Sequence, residues 1–182
     1  IEEIGDYAFY ECKNLNTPLF PSSIKKIGYE SFYSCKNFTE ITLDCDVDLI
    51  ESGAFGNCSS LSGVKINGIV KNIGRSAFGY CEKLSSVDFG NYVETIGERA
   101  LANSAITSIA LPNSLKNIDK DAFYNCVQLK NVLIGNGIET IGEGAFNSGY
   151  SGTMELDSLV IGNPIPPTIS ETSFSSKTYL NC

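Results

Sequence analysis

One spacing limits what this chain can fold into more than any other feature of its sequence. An isoleucine, followed by glycine in most copies, recurs at steps of 23, 23, 23, 23, 22 and 23 residues, and a large apolar residue stands five positions after each one. Such a period indicates a repeat array, in which each unit packs only against its neighbours. The isoleucines are Ile4, Ile27, Ile50, Ile73, Ile96, Ile118 and Ile141, and the large apolar residues are Phe9, Phe32, Phe55, Phe78, Leu101, Phe123 and Phe146.

A second apolar pattern occurs within each unit. It consists of leucine, two residues, a β-branched residue, one residue and another apolar residue, as in Leu84, Val87 and Phe89. This is the strand signature of a leucine-rich repeat. A unit this short cannot bury its own apolar face, so units must stack with their strands about 4.8 Å apart. The sequence therefore predicts a right-handed solenoid of short parallel strands and turns, with short helical or 3₁₀ corners around the alanine and phenylalanine of each unit.

The repeats also predict how the chain is organised. We expect residues 1–182 to form a single array of about seven 23-residue units, followed by a degenerate unit over residues 169–182. An irregular insertion of about five residues, around Gly149 to Met154, precedes that last unit. The chain opens at Ile1, partway through a unit and without Met, so we expect it to be a fragment of a longer chain.

The combined pattern carries a family resemblance. Cys-x-x-Leu-x-x-Val-x-Phe followed by Val-x-x-Ile-Gly-x-x-Ala-Phe resembles the BspA-type leucine-rich repeat, also called the Treponema-type repeat, over nearly the whole chain. The departures are Glu51 and Asp119 in place of glycine, and Leu101 and Ser104 in place of phenylalanine and cysteine. The resemblance implies a secreted or cell-surface protein that takes part in adhesion and in contact with host proteins.

Composition narrows the possible functions. The chain has a formal net charge of −8, which argues against nucleic acid as a partner because no basic surface is available to neutralise phosphates. No apolar run approaches the length of a membrane span, so no membrane insertion is expected within this segment. The chain has no histidine, which removes Ser-His-Asp and Cys-His nucleophilic sites and histidine-based metal sites. We therefore expect neither catalytic residues nor a cofactor.

The cysteines recur once per unit, three residues after the large apolar residue. Zinc ligands usually lie two to four residues apart in pairs, and the parallel side chains of stacked units fit disulfide geometry poorly. The pattern therefore predicts buried, reduced thiols in a slot for a small side chain, which Ser104 also occupies. Cys45 and Cys182 fall outside this pattern and are candidates for exposed thiols, and whether they pair stays open. The five recurring cysteines are Cys12, Cys35, Cys58, Cys81 and Cys126.

Two further groups of residues leave alternatives open. Three alternating aspartates in LDCDVDLIES, Asp44, Asp46 and Asp48, form either a solvated turn or a weak calcium site. The turn is favoured, because the glycine and glutamate of an EF-hand loop are absent at the required positions. Tyrosines also recur at the position directly after the repeated phenylalanine. They form either an exposed contact stripe or a cover over a corner of the core, and the cover is favoured. These tyrosines are Tyr10, Tyr33 and Tyr124.

The outward residues of the predicted strands are the candidate contact surface. They are mostly small and polar, and they turn apolar toward the last units beside the insertion. We predict a non-catalytic protein-interaction or adhesion module that presents this face to a protein partner of unknown identity, and we expect the contact at the C-terminal end. The alternative function is a structural spacer that carries another domain away from the cell. The candidate contact residues are Lys65, Asp88, Lys130, Leu133, Tyr150 and Val160.

Overall fold

The computed structural model describes residues 1–149 and 156–174, and its regular elements are all short β-strands. Each repeat forms one turn of the array, called a coil. Most coils consist of a strand, a connection, a second strand and a corner. The strands are β1 (Glu3–Ile4), β2 (Lys26–Ile27), β3 (Glu40–Leu43), β4 (Val47–Ile50), β5 (Gly63–Ile66), β6 (Val70–Ile73), β7 (Ser86–Asp88), β8 (Thr95–Ile96), β9 (Ser108–Leu111), β10 (Asn117–Ile118), β11 (Asn131–Ile134), β12 (Thr140–Ile141), β13 (Ser158–Ile161) and β14 (Thr168–Ile169).

The longest sheet is built from the residues that end at the repeated isoleucines. Eight strands pair in parallel in the order β1-β2-β4-β6-β8-β10-β12-β14. The register places each isoleucine beside the isoleucine of the next coil, as in Ile27 beside Ile50 and Ile73 beside Ile96. Strands that repeat in parallel once per coil form a solenoid, which confirms the predicted leucine-rich repeat architecture.

The leucine-rich signature forms two separate three-stranded parallel sheets, in the orders β3-β5-β7 and β13-β11-β9. The division coincides with the one 22-residue step of the array. Cys81 and Leu84 are three residues apart, whereas the equivalent residues Ser104 and Ile106 are only two apart. The strand β9 therefore begins one residue earlier in its coil than β7 does. No hydrogen-bonded pairing joins β7 and β9 among the described strands. The gap leaves Val87 half-buried, whereas its counterpart Val64 is buried.

The corners are turns, and the described residues contain no helix or 3₁₀ segment, so the predicted helical corners are absent from them. Each of the first six corners has two residues with positive φ, four positions apart, such as Ser76 at 49° and Tyr80 at 61°. A helix cannot continue through such residues. Alternate amides instead donate to the next coil, as Phe78 N–H does to the Ala100 carbonyl at 2.9 Å. The corner is therefore a third line of hydrogen bonds between coils.

Identical side chains stack along the interior, as the repeat predicts. The phenylalanine rings of the first four coils lie nearly parallel, with centroids 5.1 Å apart for Phe9 and Phe32, and 5.3 Å apart for Phe32 and Phe55. Leu101 interrupts this ladder, which resumes at Phe123 and Phe146 with a spacing of 5.0 Å. The stack runs beyond the insertion, because the ring of Phe174 lies 5.2 Å from that of Phe146.

Candidate interaction surfaces

The outward face of the sheet β3-β5-β7 is polar. Thr42, Lys65 and Asp88 are register neighbours on adjacent strands, and all three are exposed. With Glu40 and Ser86 they line a shallow concavity of about 550 Å³. We call these five residues the polar half-face. The structure therefore brings the predicted contact residues Lys65 and Asp88 together on one surface.

The outward face of the sheet β9-β11-β13 has one polar row, formed by Ser108, Asn131 and Ser158, and one apolar row. Leu133 lies between Ala110 and Val160 in the sheet register, so the three form a continuous row. Leu133 is 49% exposed and Val160 is 50% exposed, whereas Val132, which precedes Leu133 and points inward, is 1% exposed. We call Ala110, Leu133 and Val160 the apolar row. The prediction that Leu133 and Val160 are adjacent on one face is confirmed.

The remaining candidate contact residues flank the apolar row or lie outside the described residues. Lys130 is half-buried and immediately precedes β11, where its amide donates to the Thr107 carbonyl at 2.8 Å. Its own carbonyl accepts the amides of Asp157 and Ser158. Lys130 is thus tied to the edge of the same sheet. Tyr150 and most of the predicted insertion fall outside the described residues.

The break between the two three-stranded sheets is also the boundary between the two surface chemistries. In the outward row, Thr42, Lys65 and Asp88 carry a hydroxyl or a charge, and the apolar row begins at Ala110. The repeat unit that is one residue shorter than the others has its deletion between Ser104 and Ile106, and this site lies between Asp88 and Ala110 in the sequence. The face is therefore two adjoining surfaces, each backed by its own hydrogen-bonded sheet.

The three aspartates of LDCDVD each contact the following coil. Asp44 Oδ1 accepts a hydrogen bond from Asn67 Nδ2 at 2.7 Å, and Asp46 Oδ1 accepts the Ile69 amide at 2.9 Å. Asp48 lies in β4 and pairs with Lys71 at 3.1 Å. Each carboxylate already has a partner from the protein, which favours the solvated-turn interpretation. Within the described ranges, no group of three acidic, cysteine or histidine side chains is placed to hold a metal ion.

Comparison with known proteins identifies the family to which this chain belongs. The model for the BspA type leucine rich repeat region matches with six copies, over residues 1–104 and 48–181. The solved T. pallidum leucine rich repeat protein TpLRR is 31% identical, with a TM-score of 0.72 over 82% of this chain and 71% of that chain. The chain belongs to the BspA-type leucine-rich repeat family.

Two other solved structures are more distant from this BspA-type protein. A leucine rich cell surface protein from Faecalibacterium prausnitzii is 19% identical, with a TM-score of 0.41 over 96% of this chain and 61% of that chain. A leucine-rich repeat protein from Bacteroides ovatus is 23% identical, with a TM-score of 0.44 over 88% of this chain and 59% of that chain. Comparison with curated protein sequences gives no match. The described part of the chain holds no helix with the length and hydropathy of a membrane span.

The cysteine slot of this BspA-type array is a line of free thiols, as predicted. Cys35, Cys58, Cys81 and Cys126 are buried, and Cys12 in the first coil is half-buried. Each buried thiol donates to a backbone carbonyl of the preceding coil, as Cys81 Sγ does to Phe55 O at 3.2 Å. Burial raises the pKa of Cys35 to about 11 and that of Cys81 to about 12. These thiols are therefore protonated and unreactive at neutral pH.

Cys45 is buried at 0% exposure, so the expectation of an exposed thiol is wrong. The reason is that the alternation of β3 continues through the connection to β4. Residues 41–48 strictly alternate between buried and exposed, which turns Cys45 inward between exposed Asp44 and Asp46. Its burial raises the pKa of the thiol. Cys182 lies outside the described residues, so the pairing of these two cysteines stays open.

The tyrosines after the ladder aromatics are neither fully exposed nor a simple cover. Tyr10 is 41% exposed, Tyr33 is half-buried, and their rings stack at 5.4 Å. Tyr7 and Tyr29, at other repeat positions, extend the group through edge contacts. The ring of Tyr7 lies 5.8 Å from Tyr10 and 5.3 Å from Tyr29. Sequence reasoning missed this cluster because it compared one repeat position at a time, whereas the cluster combines three.

The equivalent corner of later coils contains an arginine site that the sequence did not suggest. Arg99 donates to Asp121 Oδ2 from Nε at 3.2 Å and from Nη2 at 3.1 Å. Its guanidinium carbon also lies 5.8 Å from the centroid of the Tyr124 ring. The signal for it was the occurrence of Arg99 and Asp121 at equivalent positions of adjacent coils.

Proposed function

We propose that this BspA-type leucine-rich repeat chain is a non-catalytic interaction module of a secreted or cell-surface protein, and that it adheres to a protein of host or microbial origin. The observation that supports this proposal is the apolar row of Ala110, Leu133 and Val160. Apolar side chains that are about half exposed on a rigid sheet leave apolar surface in contact with water. A protein partner that covers them removes this surface from water, which favours binding. The adhesive role that the family resemblance implies agrees with this use.

The polar half-face extends the proposed contact surface. Lys65 and Asp88 are adjacent opposite charges on the outward face, so they suit complementary charges on a partner and set orientation more than affinity. The apolar row supplies the area removed from water. An interface with an apolar centre and a charged border is the usual arrangement of protein contacts. Lys130 and Tyr150 are proposed as its border at the C-terminal end.

The proposal is tested with beads that carry the purified chain and are applied to host epithelial cells. The double variant Leu133→Asp with Val160→Asp is expected to lose adhesion. The matched control is Leu49→Asp with Ile69→Asp, which introduces the same charges at exposed apolar residues on the side of the eight-stranded sheet. Equal loss in both variants, or loss in neither, would contradict a contact at the apolar row.

The location is tested separately on the source cells. Protease added to intact cells is expected to release fragments of the repeat array, and mass spectrometry identifies them. Complete protection of the array in intact cells, with cleavage after lysis, would contradict the cell-surface or secreted assignment.

A structural spacer is the second candidate function. The continuous eight-stranded sheet favours it, because one unbroken parallel ladder joins the coils from β1 to β14. A spacer predicts that Leu133→Asp with Val160→Asp, and also Lys65→Ala with Asp88→Ala, leave adhesion of the whole protein unchanged. Source cells that display the whole protein measure this prediction, and a loss of adhesion by either double variant on these cells would contradict the spacer function.

A further inference from the structure

The corner of the fifth and sixth coils holds a guanidinium group in a defined site. The Asp121 side chain, only 11% exposed, accepts two hydrogen bonds from Arg99, and Tyr124 presents its ring to the same cation. The carboxylate lies directly over Gly144 of the next coil, so closely that a Cβ at that position would collide with Asp121 Oδ1. A carboxylate, an aromatic ring and a glycine that leaves space for them are therefore the components of this site.

The first two coils present the same components at the same repeat positions. Glu30 stands where Asp121 does, and Tyr33 stands where Tyr124 does. Glu30 has the same left-handed backbone as Asp121, with φ of 45° against 56°. Its side chain also lies over a glycine of the next coil, since a Cβ on Gly53 would come within 2.7 Å of Glu30 Cγ. Gly53 and Gly144 themselves share a positive φ, of 65° and 63°.

The two corners differ in the cation. The position of Arg99 is occupied by Tyr7, which is 54% exposed and adds another aromatic ring, 5.3 Å from that of Tyr29. None of the ion pairs within residues 1–149 and 156–174 involves Glu30. Its charge is instead close to the Tyr29 hydroxyl, and the hydrogen bond between them raises the pKa of Tyr29. The first corner therefore has the carboxylate and an excess of aromatic surface, but no guanidinium from this chain.

We propose that Tyr7, Tyr10, Tyr29 and Tyr33, together with Glu30, bind an arginine side chain of a partner protein. Guanidinium groups stack on aromatic faces and pair with carboxylates. Tyr7, Tyr10 and Tyr29 are exposed here, and Glu30 and Tyr33 are half-buried. The net charge of −8 favours the approach of a basic segment. This surface is distinct from the outward strand face, so the proposal of arginine binding does not depend on a contact at the apolar row.

The binding is tested with the acetylated and amidated peptide GRGRGR and its citrulline counterpart, which keeps the shape but not the charge. Changes in the tyrosine ring signals of the NMR spectrum are expected to saturate with the arginine peptide alone. Glu30→Gln and Tyr33→Leu are each expected to weaken binding by about fivefold or more. The matched controls Glu82→Gln and Tyr92→Leu alter an exposed acid and an exposed tyrosine in other coils and are expected to bind normally. Equal binding of the citrulline peptide, or equal weakening in the controls, would overturn the proposal.

A second variant tests the equivalence of the two corners. Arg99→Ala removes a side chain that is 41% exposed and leaves Asp121 and Tyr124 without their cation. The variant is expected to bind arginine peptide at two sites where the parent protein has one, with the additional signal changes at Tyr124. A thermal unfolding curve confirms that the variant is folded. If the folded variant gains no signal change at Tyr124, the acid and tyrosine do not constitute a guanidinium site and the inference fails.

Discussion

Phe55 and Phe78 stack almost face to face, with ring centroids 5.4 Å apart and planes 4° from parallel. Both side chains are fully buried, and each belongs to a different coil. Because every rung of the ladder is completed by the rungs above and below it, a residue in the central coils stabilises two interfaces at once. Damage to one rung is therefore shared by both neighbouring coils.

We predict that Phe78→Ala destabilises the protein far more than Cys81→Ser. Truncation of a buried phenylalanine costs about 3–5 kcal/mol through lost transfer energy and the cavity that remains. Cys81→Ser conserves volume, and serine can still donate to the Phe55 carbonyl that now accepts the thiol. Ser104 shows that the slot holds a hydroxyl, since its Oγ lies 3.1 Å from Cys126 Sγ. Urea unfolding of both variants measures the difference, and equal losses would mean that the thiol has a bonding role the structure does not show.

Ser31→Ala is predicted to stabilise the protein. The Ser31 hydroxyl is buried and finds no hydrogen-bond partner among the described residues, at a position that alanine occupies in other coils, such as Ala54 and Ala77. Removal of an unsatisfied buried hydroxyl is expected to raise the free energy of unfolding by about 1 kcal/mol. Ser173→Ala is the matched control, because Ser173 donates to the Ile141 carbonyl at 3.0 Å and its loss should not stabilise. A gain of similar size in both variants would contradict the assignment.

Stability is predicted to fall in alkaline solution because of the thiol ladder. A cysteine in the unfolded chain titrates at about pH 8.5, whereas burial in the fold raises the pKa of Cys35 to about 11 and that of Cys81 to about 12. As pH rises, the unfolded chain releases these protons first. The stabilisation is therefore complete below about pH 8.5 and is lost as pH rises toward these folded values.

The expected loss is about 1.4 kcal/mol for each such thiol one pH unit above 8.5. Urea unfolding at pH 7.0, 8.5 and 9.5 measures it. The variant Cys35→Ser with Cys81→Ser is the control, and it should lose less stability over this interval than the parent protein. An identical loss in the variant would assign the alkaline effect to tyrosine or lysine ionisation.

Much of the fold could be predicted because a repeat states the same information several times. The isoleucine and phenylalanine positions recur at one period, so the interior ladders and their register follow directly from the spacing. The adjacency of Leu133 and Val160 follows in the same way, since outward residues of stacked strands are neighbours whenever the register is constant. Periodicity fixes which residues meet between coils.

Periodicity does not fix the backbone path within a coil. The corner was predicted as helical from its small and aromatic residues, yet two left-handed residues per corner, often not glycine, prevent a helix. Cys45 could have been placed correctly, because the alternation of LDCDVD was present in the sequence. The break between β7 and β9 was also foreseeable in principle from the 22-residue step, but only the structure shows that one missing residue divides the sheet.

The last prediction tests which side of the strand faces solvent at the apolar row. Leu133→Asp and Val132→Asp place the same charge on adjacent residues of β11, one 49% exposed and the other 1% exposed. Leu133→Asp should change the free energy of unfolding by about 0.5 kcal/mol or less, as surface substitutions usually do. Val132→Asp buries a carboxylate among apolar ladders and should abolish cooperative unfolding or reduce stability by several kcal/mol. Circular dichroism melting curves of the two variants provide the comparison, and severe destabilisation by Leu133→Asp would place that residue in the core and move the contact surface elsewhere.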